Sequence, residues 1–256
     1  MKISFITSKS FVFSLLFYIT VACAQSVTLS GGTFSMGNES GDLDEKPVHS
    51  VTLSSFKIDK HEVTEAQYDS CVRSGKCSQA HYSDGRCGVW TPKSFQNVNV
   101  PADRRNPANP VVCVTWFQAQ AFCQSHGKRL PREAQWEYAA STGKRSKYTW
   151  GDQSPTPSHC AAASDQKPDI VCSHASNTFG LSDMTGNVWE WTGDYYGKDY
   201  YSFSTLENPA GPDVGLYRVI RGGGWYSSAE QLRITNRNWF SPDFAEVSIG
   251  FRCVSP

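Results

Sequence analysis

Alternating apolar and polar positions predict β-strands towards both ends of the chain. Residues 27–37 fit a strand that a Gly-Gly turn interrupts, and residues 51–63 alternate well enough for a strand or a hairpin. The chain closes on three further strand-like runs, at 217–221, 232–236 and 247–254. The pattern therefore places β-structure at the start and at the end of the sequence.

The middle of the chain carries helix signals instead. Two helices are predicted to begin at Thr64 and Thr115, because a glutamine three places later gives each threonine the spacing of a capping box, and a third follows Pro131. The glycines expected to end these helices are Gly75, Gly127 and Gly143. A short buried strand is predicted at 111–114. Together these elements predict one α+β domain.

In the stretch 181–191, a Gly-Asn pair separates two carboxylates. Gly186 lets the backbone turn sharply, so that its carbonyl oxygen approaches whatever lies inside the bend. Asp183 and Glu190 supply carboxylate oxygens from the two arms of that bend. Calcium takes about six to eight oxygen ligands in a tolerant geometry, so the stretch is compatible with a calcium site. On composition alone, a core hairpin with its acids in solvent is the simpler interpretation.

Residues 1–24 have the features of a secretory signal peptide. Two lysines precede an apolar run at 11–22, and small residues flank Cys23. The run is too short for a stable membrane span. We expect cleavage before Gln25, an exported domain at 25–256 in the periplasm or outside the cell, and no transmembrane segment in the mature chain. A lipoprotein acylated at Cys23 is the alternative.

The charge of the predicted mature chain argues against nucleic acid as a partner. The signal region holds two of the 24 basic residues and none of the 24 acidic ones, which leaves 22 against 24 and a net charge of −2. No basic run breaks this near-neutral pattern. Eight tryptophans and 20 glycines favour irregular loops packed on aromatic side chains.

Cysteine usage predicts disulfides. Removing the signal leaves an even number of cysteines: Cys71, Cys77, Cys87, Cys113, Cys123, Cys160, Cys172 and Cys253. An even count in an exported chain is typical of disulfide bonding, and the sequence has no CxxC pair of the kind that binds zinc. A local bridge from Cys160 to Cys172 is expected to close the loop-rich region 143–180.

Eight motifs together resemble one known family. They lie, in chain order, at 31–37, 61–64, 110–116, 127–138, 148–151, 186–191, 221–225 and 250–253. In this order they resemble the formylglycine-generating enzyme, or sulfatase-modifying factor, family over almost all of the mature chain. The resemblance implies a compact α+β fold related to C-type lectins, low in regular secondary structure and stiffened by calcium and disulfides.

The resemblance also implies a structural calcium ion. The matching ligands are the side chains of Asp183 and Glu190 and the main-chain carbonyls of Gly186 and Val188, in agreement with the chemistry of the bend. A second family calcium site corresponds to the loop 159–180, which is shortened here, so no ligands are assigned to it.

Disulfide pairing follows in part from the same resemblance. It implies a bridge between Cys123 and Cys253, which would join the middle helix to the final strand. The remaining four cysteines allow three pairings, of which Cys71–Cys113 with Cys77–Cys87 is one.

The match fails at the centre of the family's chemistry. The enzyme that names the family oxidises a cysteine of unfolded sulfatases by a copper-thiolate mechanism with two cysteines five residues apart. Those positions fall on Ser227 and Leu232, and no cysteine occurs between Cys172 and Cys253. Cuprous ion selects soft sulfur ligands, which a hydroxyl and an isobutyl group do not replace. Copper, and formylglycine generation by that route, are therefore not expected.

A group of polar and aromatic residues falls in the segment that lines the family's substrate groove. Its members are Arg221, Trp225, Ser227, Arg233, Arg237 and Trp239. Aromatic faces and guanidinium groups suit peptide, sugar or carboxylate ligands. The alternative is that these aromatics belong to the core and the arginines to the surface.

Three functional hypotheses follow. The first is an exported, calcium-stabilised binding module for a peptide, a glycan or an envelope protein, with no catalytic residues assigned. The second is a divergent enzyme of the family, an oxidoreductase acting on a protein or a peptide-derived substrate. The third is a structural envelope protein without a small ligand. The sequence leaves the oligomeric state open.

Overall fold

The computed structural model describes residues 26–91, 93–161 and 167–256. The predicted signal peptide, at 1–24, lies outside these residues. The helices are α1 Glu65–Arg73, α2 Trp116–Ser125 and α3 Glu133–Ser141. The strands are β1 Ser26–Leu29, β2 Gly32–Met36, β3 His49–Leu53, β4 Phe56–Asp59, β5 Cys87–Trp90, β6 Phe95–Val98, β7 Trp189–Tyr195, β8 Arg218–Arg221, β9 Asn238–Phe240, β10 Ile249–Gly250 and β11 Val254–Ser255. Within the described ranges, every helix is too short or too polar to cross a lipid bilayer.

Two sheets bring distant parts of the chain together. The larger has the strand order β10-β7-β8-β9, in which β10 runs parallel to β7 and the other neighbours are antiparallel. The smaller, in the order β1-β4-β11, pairs the first and last strands with opposite edges of β4. Two hairpin-like pairs, β2-β3 and β5-β6, complete the strand pairing. The sheets therefore join the two ends of the sequence that carry the alternating pattern.

The predicted helix starts are confirmed. The hydroxyl oxygen of Thr64 accepts from the amide of Gln67 at 3.2 Å, and the Gln67 side chain accepts from the Thr64 amide at 2.8 Å. Thr115 and Gln118 make the same reciprocal pair at 3.2 and 2.9 Å. Each pair satisfies two amides that the first helical turn leaves without a partner.

Two of the predicted strands are wrong. Residues 111–114 are buried but irregular, and Cys113 has a positive φ of 58°. Residues 232–236 form turns, in which the amide of Arg233 donates to the carbonyl of Glu230 and the amide of Asn236 donates to the carbonyl of Arg233. These hydrogen bonds within the turns occupy amide and carbonyl groups that a β-strand would use to pair with a neighbouring strand.

The core has two main apolar clusters among the described residues. One contains Trp191 and Phe251 together with Val188, and the other contains Trp136 and Ile58. All five are buried. The bend before β7 contributes Val188 to the first cluster and Met184 to the second, so it is buried where the two clusters meet.

Disulfides join loops and helices to this core. The described residues contain three, Cys71–Cys77, Cys87–Cys113 and Cys123–Cys253. The last is the bridge that the resemblance implies, from α2 to the C-terminal segment. Of the three pairings left open for the other four cysteines, the structure has Cys71–Cys77 with Cys87–Cys113 and not Cys71–Cys113 with Cys77–Cys87. The chain turns back directly after α1 and places Cys77 beside the end of that helix, while β5 lies beside the segment at 113.

The predicted bridge from Cys160 to Cys172 is also wrong. Cys160 is a buried free thiol that packs against the turn at Gly186, where an added Cβ would lie 2.8 Å from the Cys160 Cβ. The main chain at Cys172 is held elsewhere, since its amide donates to Asp183 Oδ2 at 2.7 Å. Burial, with the nearby charge of Asp183, raises the pKa of the Cys160 thiol to about 12.

Candidate functional site

A cleft of about 360 Å³ surrounds the position where the family's first active-site cysteine would fall. We call it the Ser227 cleft. Its walls come from β5, β7, β9, the loop after β8 and the segment before β10. The lining residues are Trp90, Trp189, Tyr226, Ser227, Gln231, Asn238, Phe240, Glu246 and Ser248.

Ser227 is held in place by a tight turn. Its hydroxyl accepts from the amide of Gly224 at 2.9 Å, and its own amide donates to the carbonyl of Gly224 at 2.9 Å. Leu232, the second replaced position, is buried and packs with Tyr148 and Cys160 rather than lining the cleft. One replacement thus presents a fixed hydroxyl to the cleft, and the other has become part of the core.

Glu246 is the charged member of the cleft lining. Its Oε1 accepts from the hydroxyl of Tyr226 at 2.6 Å, and its Oε2 accepts from the amide and the hydroxyl of Ser248 at 2.9 and 2.6 Å. Burial raises the pKa of Glu246, although these hydrogen bonds lower it in part. A carboxylate is therefore held rigidly at the base of an aromatic cleft.

Two arginines predicted to face a ligand are buried in an ion-pair network instead. Arg221 Nη1 lies 2.8 Å from Glu133 Oε1, and the second amino group of Arg221 binds Glu137. Arg237 binds both oxygens of Glu133, at 2.7 and 2.9 Å. Burial alone would raise the pKa of Glu133, but the charges of Arg237 and Arg221 hold it below its ordinary value.

Arg233 lies away from the Ser227 cleft. Its guanidinium binds both oxygens of Glu45, at 2.6 and 2.7 Å, and contacts Asp42 and Glu230. Placing Arg221 and Arg237 in a ligand groove is therefore wrong, whereas Arg233 lines a separate cavity of about 410 Å³. The alternative of surface arginines is also wrong, because Arg221, Arg233 and Arg237 are all buried against acids from distant segments.

The two tryptophans predicted to line the groove lie at different places in the structure. Trp225 is half-buried and lines a neighbouring apolar cleft of about 350 Å³, where its indole nitrogen donates to the carbonyl of Val247 at 3.4 Å. Trp239 is exposed on the other side of β9 and stacks on Tyr196, with ring centroids 3.9 Å apart. Of the six predicted groove residues, Ser227 alone lines the Ser227 cleft in the described part of the chain, and Trp225 lines the apolar cleft instead.

The predicted calcium ligands lie around the bend before β7. Asp183 has a positive φ of 59°, and its Oδ2 accepts from the Cys172 amide. Both oxygens of Glu190 bind Arg252, at 2.7 and 2.8 Å, and Glu190 Oε2 also accepts from the Trp136 indole at 3.0 Å. Glu190 is thus already paired with a cation, which the sequence pattern did not reveal.

A further buried acid lies beside these residues. Glu62 Oε1 accepts from the Asn187 side chain at 3.1 Å, while its buried Oε2 has no hydrogen-bond partner. Burial, reinforced by the charges of Asp183 and Glu190, raises the pKa of Glu62 well above its ordinary value. In the described part of the chain, the charge of Arg252 acts on all three of these carboxyl groups, and that of His174 acts on Asp183 as well. This group of buried carboxyl groups, with an oxygen of Glu62 that has no partner, fits a hard cation at this bend, because such a cation would favour their charged forms.

Main-chain oxygens would have to complete such a site. Among the residues that the structure describes, no three His, Cys, Asp or Glu side chains are grouped to hold a metal ion. The carbonyls of Gly186 and Val188 are the co-ligands that the bend offers, which is consistent with the oxygen preference of calcium.

Comparisons with known proteins agree with the fold. A family model described as a sulfatase-modifying factor enzyme 1-like domain matches residues 14–256. The chain belongs to this family. A formylglycine-generating enzyme from Streptomyces coelicolor is 32% identical over 278 residues, covering 90% of this chain and 88% of the relative. The structure of PvdO from Pseudomonas aeruginosa is similar at a TM-score of 0.74 and 26% identity, covering 90% of this chain and 93% of that chain.

Another relative has a longer chain. The serine/threonine-protein kinase Pkn1 from Chlamydia trachomatis is 39% identical over 235 residues, covering 90% of this chain but 38% of the relative. This chain therefore spans less than two fifths of that relative's length. Together with the family match, these similarities confirm the predicted α+β fold of the C-type-lectin-related type.

Sequence reasoning missed most of the Ser227 cleft. Trp90, Tyr226 and Glu246 come from separate segments, and none stands in a recognisable motif. The available signal was a single acid in the otherwise apolar and small run at 244–249, where a charged residue has to be hydrogen-bonded or paired.

Proposed function

We propose that this chain is an exported, calcium-stabilised binding module of the sulfatase-modifying factor family, with the Ser227 cleft as its ligand site. The ligand is a peptide, a glycan or an envelope protein. The observation that carries the proposal is the contrast between an intact scaffold and an altered centre. The cleft remains, with a fixed hydroxyl at Ser227, but Leu232 is buried outside it.

The chemistry of the replacements supports binding rather than copper-dependent oxidation. A thiolate pair binds cuprous ion because sulfur is a soft ligand, and neither a serine hydroxyl nor a leucine side chain supplies that. The lining of the cleft, four aromatic rings with amide and hydroxyl groups, supplies contact area and hydrogen bonds to a ligand.

Calcium is proposed as a structural ion at the bend before β7. Asp183 and the carbonyls of Gly186 and Val188 would hold it, with Glu190 shared between the ion and Arg252. The ion would offset the negative charge that Glu62, Asp183 and Glu190 place in the interior, and it would tie the bend to the core.

Export is proposed from the N-terminal pattern and is supported by the three disulfides, which persist in oxidising compartments. A periplasmic or secreted protein is the preferred form, and anchoring through an acylated Cys23 is the alternative. Fractionation of cells that express the full chain, with mass analysis of the mature N-terminus, decides between them.

The test of the binding function is a screen of arrayed peptides and glycans with the purified protein. Trp90→Ala should abolish capture of the array ligand, because Trp90 is 53% exposed and forms one wall of the Ser227 cleft. Phe203→Ala is the matched control, since Phe203 is 66% exposed and does not line the cleft. Capture that is unchanged in the Trp90 variant contradicts the proposed site.

A divergent enzyme is the second candidate, favoured by the 32% identity to a relative named formylglycine-generating enzyme. It is tested by incubating the protein with a sulfatase-derived cysteine peptide and copper, and analysing the peptide by mass spectrometry. Oxidation of the peptide, or stoichiometric copper in the purified protein, would replace the binding proposal.

A further inference from the structure

Glu246 is a buried carboxyl group that has no counter-ion among the described residues. Glu45, Glu133 and Glu190 each lie 2.6 to 2.8 Å from an arginine nitrogen. In the described part of the chain, Glu246 has no such ion pair, and its three hydrogen-bond donors, the Tyr226 hydroxyl and two groups of Ser248, are all neutral. Neutral donors orient a carboxylate but leave its charge uncompensated, and a buried charge of that kind is unfavourable.

The walls around Glu246 are aromatic. Trp90, Trp189, Tyr226 and Phe240 line the Ser227 cleft with it. Two of these rings are held by contacts with neighbouring rings. The centroids of Trp90 and Phe95 lie 5.1 Å apart, and those of the stacked rings of Phe240 and Phe244 lie 4.4 Å apart. The face of an aromatic ring carries negative electrostatic potential, so rigid rings around a carboxylate favour positive charge.

The remaining lining groups are neutral. Ser227, Gln231, Asn238 and Ser248 offer hydroxyl and amide groups, and no lysine, arginine or histidine is among the described lining residues. An anionic ligand would meet Glu246 without a compensating cation. A neutral sugar would find hydrogen bonds and aromatic faces, but it would leave the charge of Glu246 as it is.

We propose that the Ser227 cleft receives a cationic group of its ligand, an alkylammonium or a guanidinium, with Glu246 as the counter-charge and the aromatic rings as walls. This inference rests on the proposed binding function and specifies the ligand's chemistry. A lysine or arginine side chain of a peptide and a quaternary ammonium group share this chemistry.

Two small probes of matched shape test the role of charge. Choline and 3,3-dimethylbutan-1-ol differ in the replacement of a quaternary nitrogen by carbon, so one is cationic and the other neutral. Titration of the unmodified protein, followed by ligand-observed NMR, should show choline binding about tenfold or more tightly, the order expected for an ion in a desolvated aromatic site. Raising the salt concentration should weaken choline binding and leave the neutral probe unaffected.

Variants then assign the preference to Glu246. Glu246→Gln keeps the shape of the side chain but removes its charge. This variant should bind choline and 3,3-dimethylbutan-1-ol with equal affinity. Glu207→Gln is the matched control, because Glu207 is exposed and does not line the cleft, and it should retain the difference. Trp90→Ala should weaken choline binding about threefold or more through loss of one ring.

The outcomes separate this inference from the binding proposal. Equal affinity for the two probes in the unmodified protein overturns the inference, whether or not Glu246→Gln folds. Persistence of the preference in a folded Glu246→Gln variant also overturns it. The array could instead yield a neutral glycan whose capture depends on Trp90 and is not displaced by choline. That result contradicts the proposed cationic ligand but supports the Ser227 cleft as a binding site. Capture of an array ligand that does not depend on Trp90 contradicts the proposal that the Ser227 cleft is the binding site.

Discussion

Replacing Arg221 by methionine removes the guanidinium that Glu133 and Glu137 share. Arg221 is fully buried, and Glu137 has no other cation within ion-pair distance in the described residues. Glu133 keeps its two contacts with Arg237. The main consequence is therefore an uncompensated carboxylate at Glu137, and breaking a buried pair in this way costs about 3–5 kcal/mol.

Urea denaturation followed by circular dichroism measures this loss directly. The free energy of unfolding should fall by about 3–5 kcal/mol with an unchanged dependence on urea. For a domain of this size the melting temperature falls by about 2–4 °C per kcal/mol, so a drop of roughly 6–20 °C accompanies it. Arg86→Met is the control, because Arg86 is 68% exposed in its pair with Asp84, and its loss should be about 0–1 kcal/mol.

A second substitution tests the cause. In the double variant Arg221→Met with Glu137→Gln, the uncharged amide still accepts from the Gly37 amide, as Glu137 Oε1 does at 2.8 Å. Because the orphaned charge is gone, this double variant should be more stable than Arg221→Met alone. A single variant that loses no more than Arg86→Met, or a double variant that gains nothing, refutes the role assigned to the buried charges.

Three further predictions concern Asp194, the calcium bend and the buried side chain of Leu232. Burial and the charge of Glu133 raise the pKa of Asp194 to about 7 in the folded state, against 3.8 in the unfolded state. Between these two pH values the folded state binds a proton that the unfolded state has lost. The free energy of unfolding should therefore fall as the pH rises from about 4 to 7. Asp194→Asn should flatten that slope by an amount on the order of 4 kcal/mol, measured by urea denaturation across this pH range, and parallel slopes in the two proteins would contradict the assignment. Calcium at 100 times its dissociation constant should raise the stability of chelator-treated protein by about 2.7 kcal/mol, and Asp183→Asn should lose this response in a thermal melt. Leu232→Ala should cost about 2–5 kcal/mol by opening a cavity beside Tyr148, and a loss below 1 kcal/mol would show that Leu232 is not packed there.

Several features of the protein followed from the sequence because they depend on neighbours in the chain. The capping boxes at Thr64 and Thr115 involve residues three places apart, and both formed as predicted. The ordered motifs identified the family and hence the fold class. The predicted strands at 111–114, an apolar run, and at 232–236, an alternating run, are wrong because no strand of the described residues pairs with either. Periodicity reports which face is buried, and it does not report what covers that face.

The contents of the site depended on tertiary structure. Glu246 and Trp90 are far apart in the sequence, and a single cleft brings them together through the β5-β6 pair and the segment before β10. Arg221 and Arg237 reach Glu133 across sequence separations of 88 and 104 residues. No local pattern distinguishes an arginine bound for such a partner from one on the surface.

The sequence by itself therefore determined the fold class, the helix starts and the loss of the thiolate pair, since residue identity and short-range spacing fix these. The tertiary structure alone decided the disulfide partners of Cys71 and Cys113, the burial of the arginines and the aromatic, acidic lining around Ser227. Those properties depend on which distant segments come into contact when β1 and β11 pair with β4. Contacts between residues far apart in the chain produce no periodic pattern in the sequence.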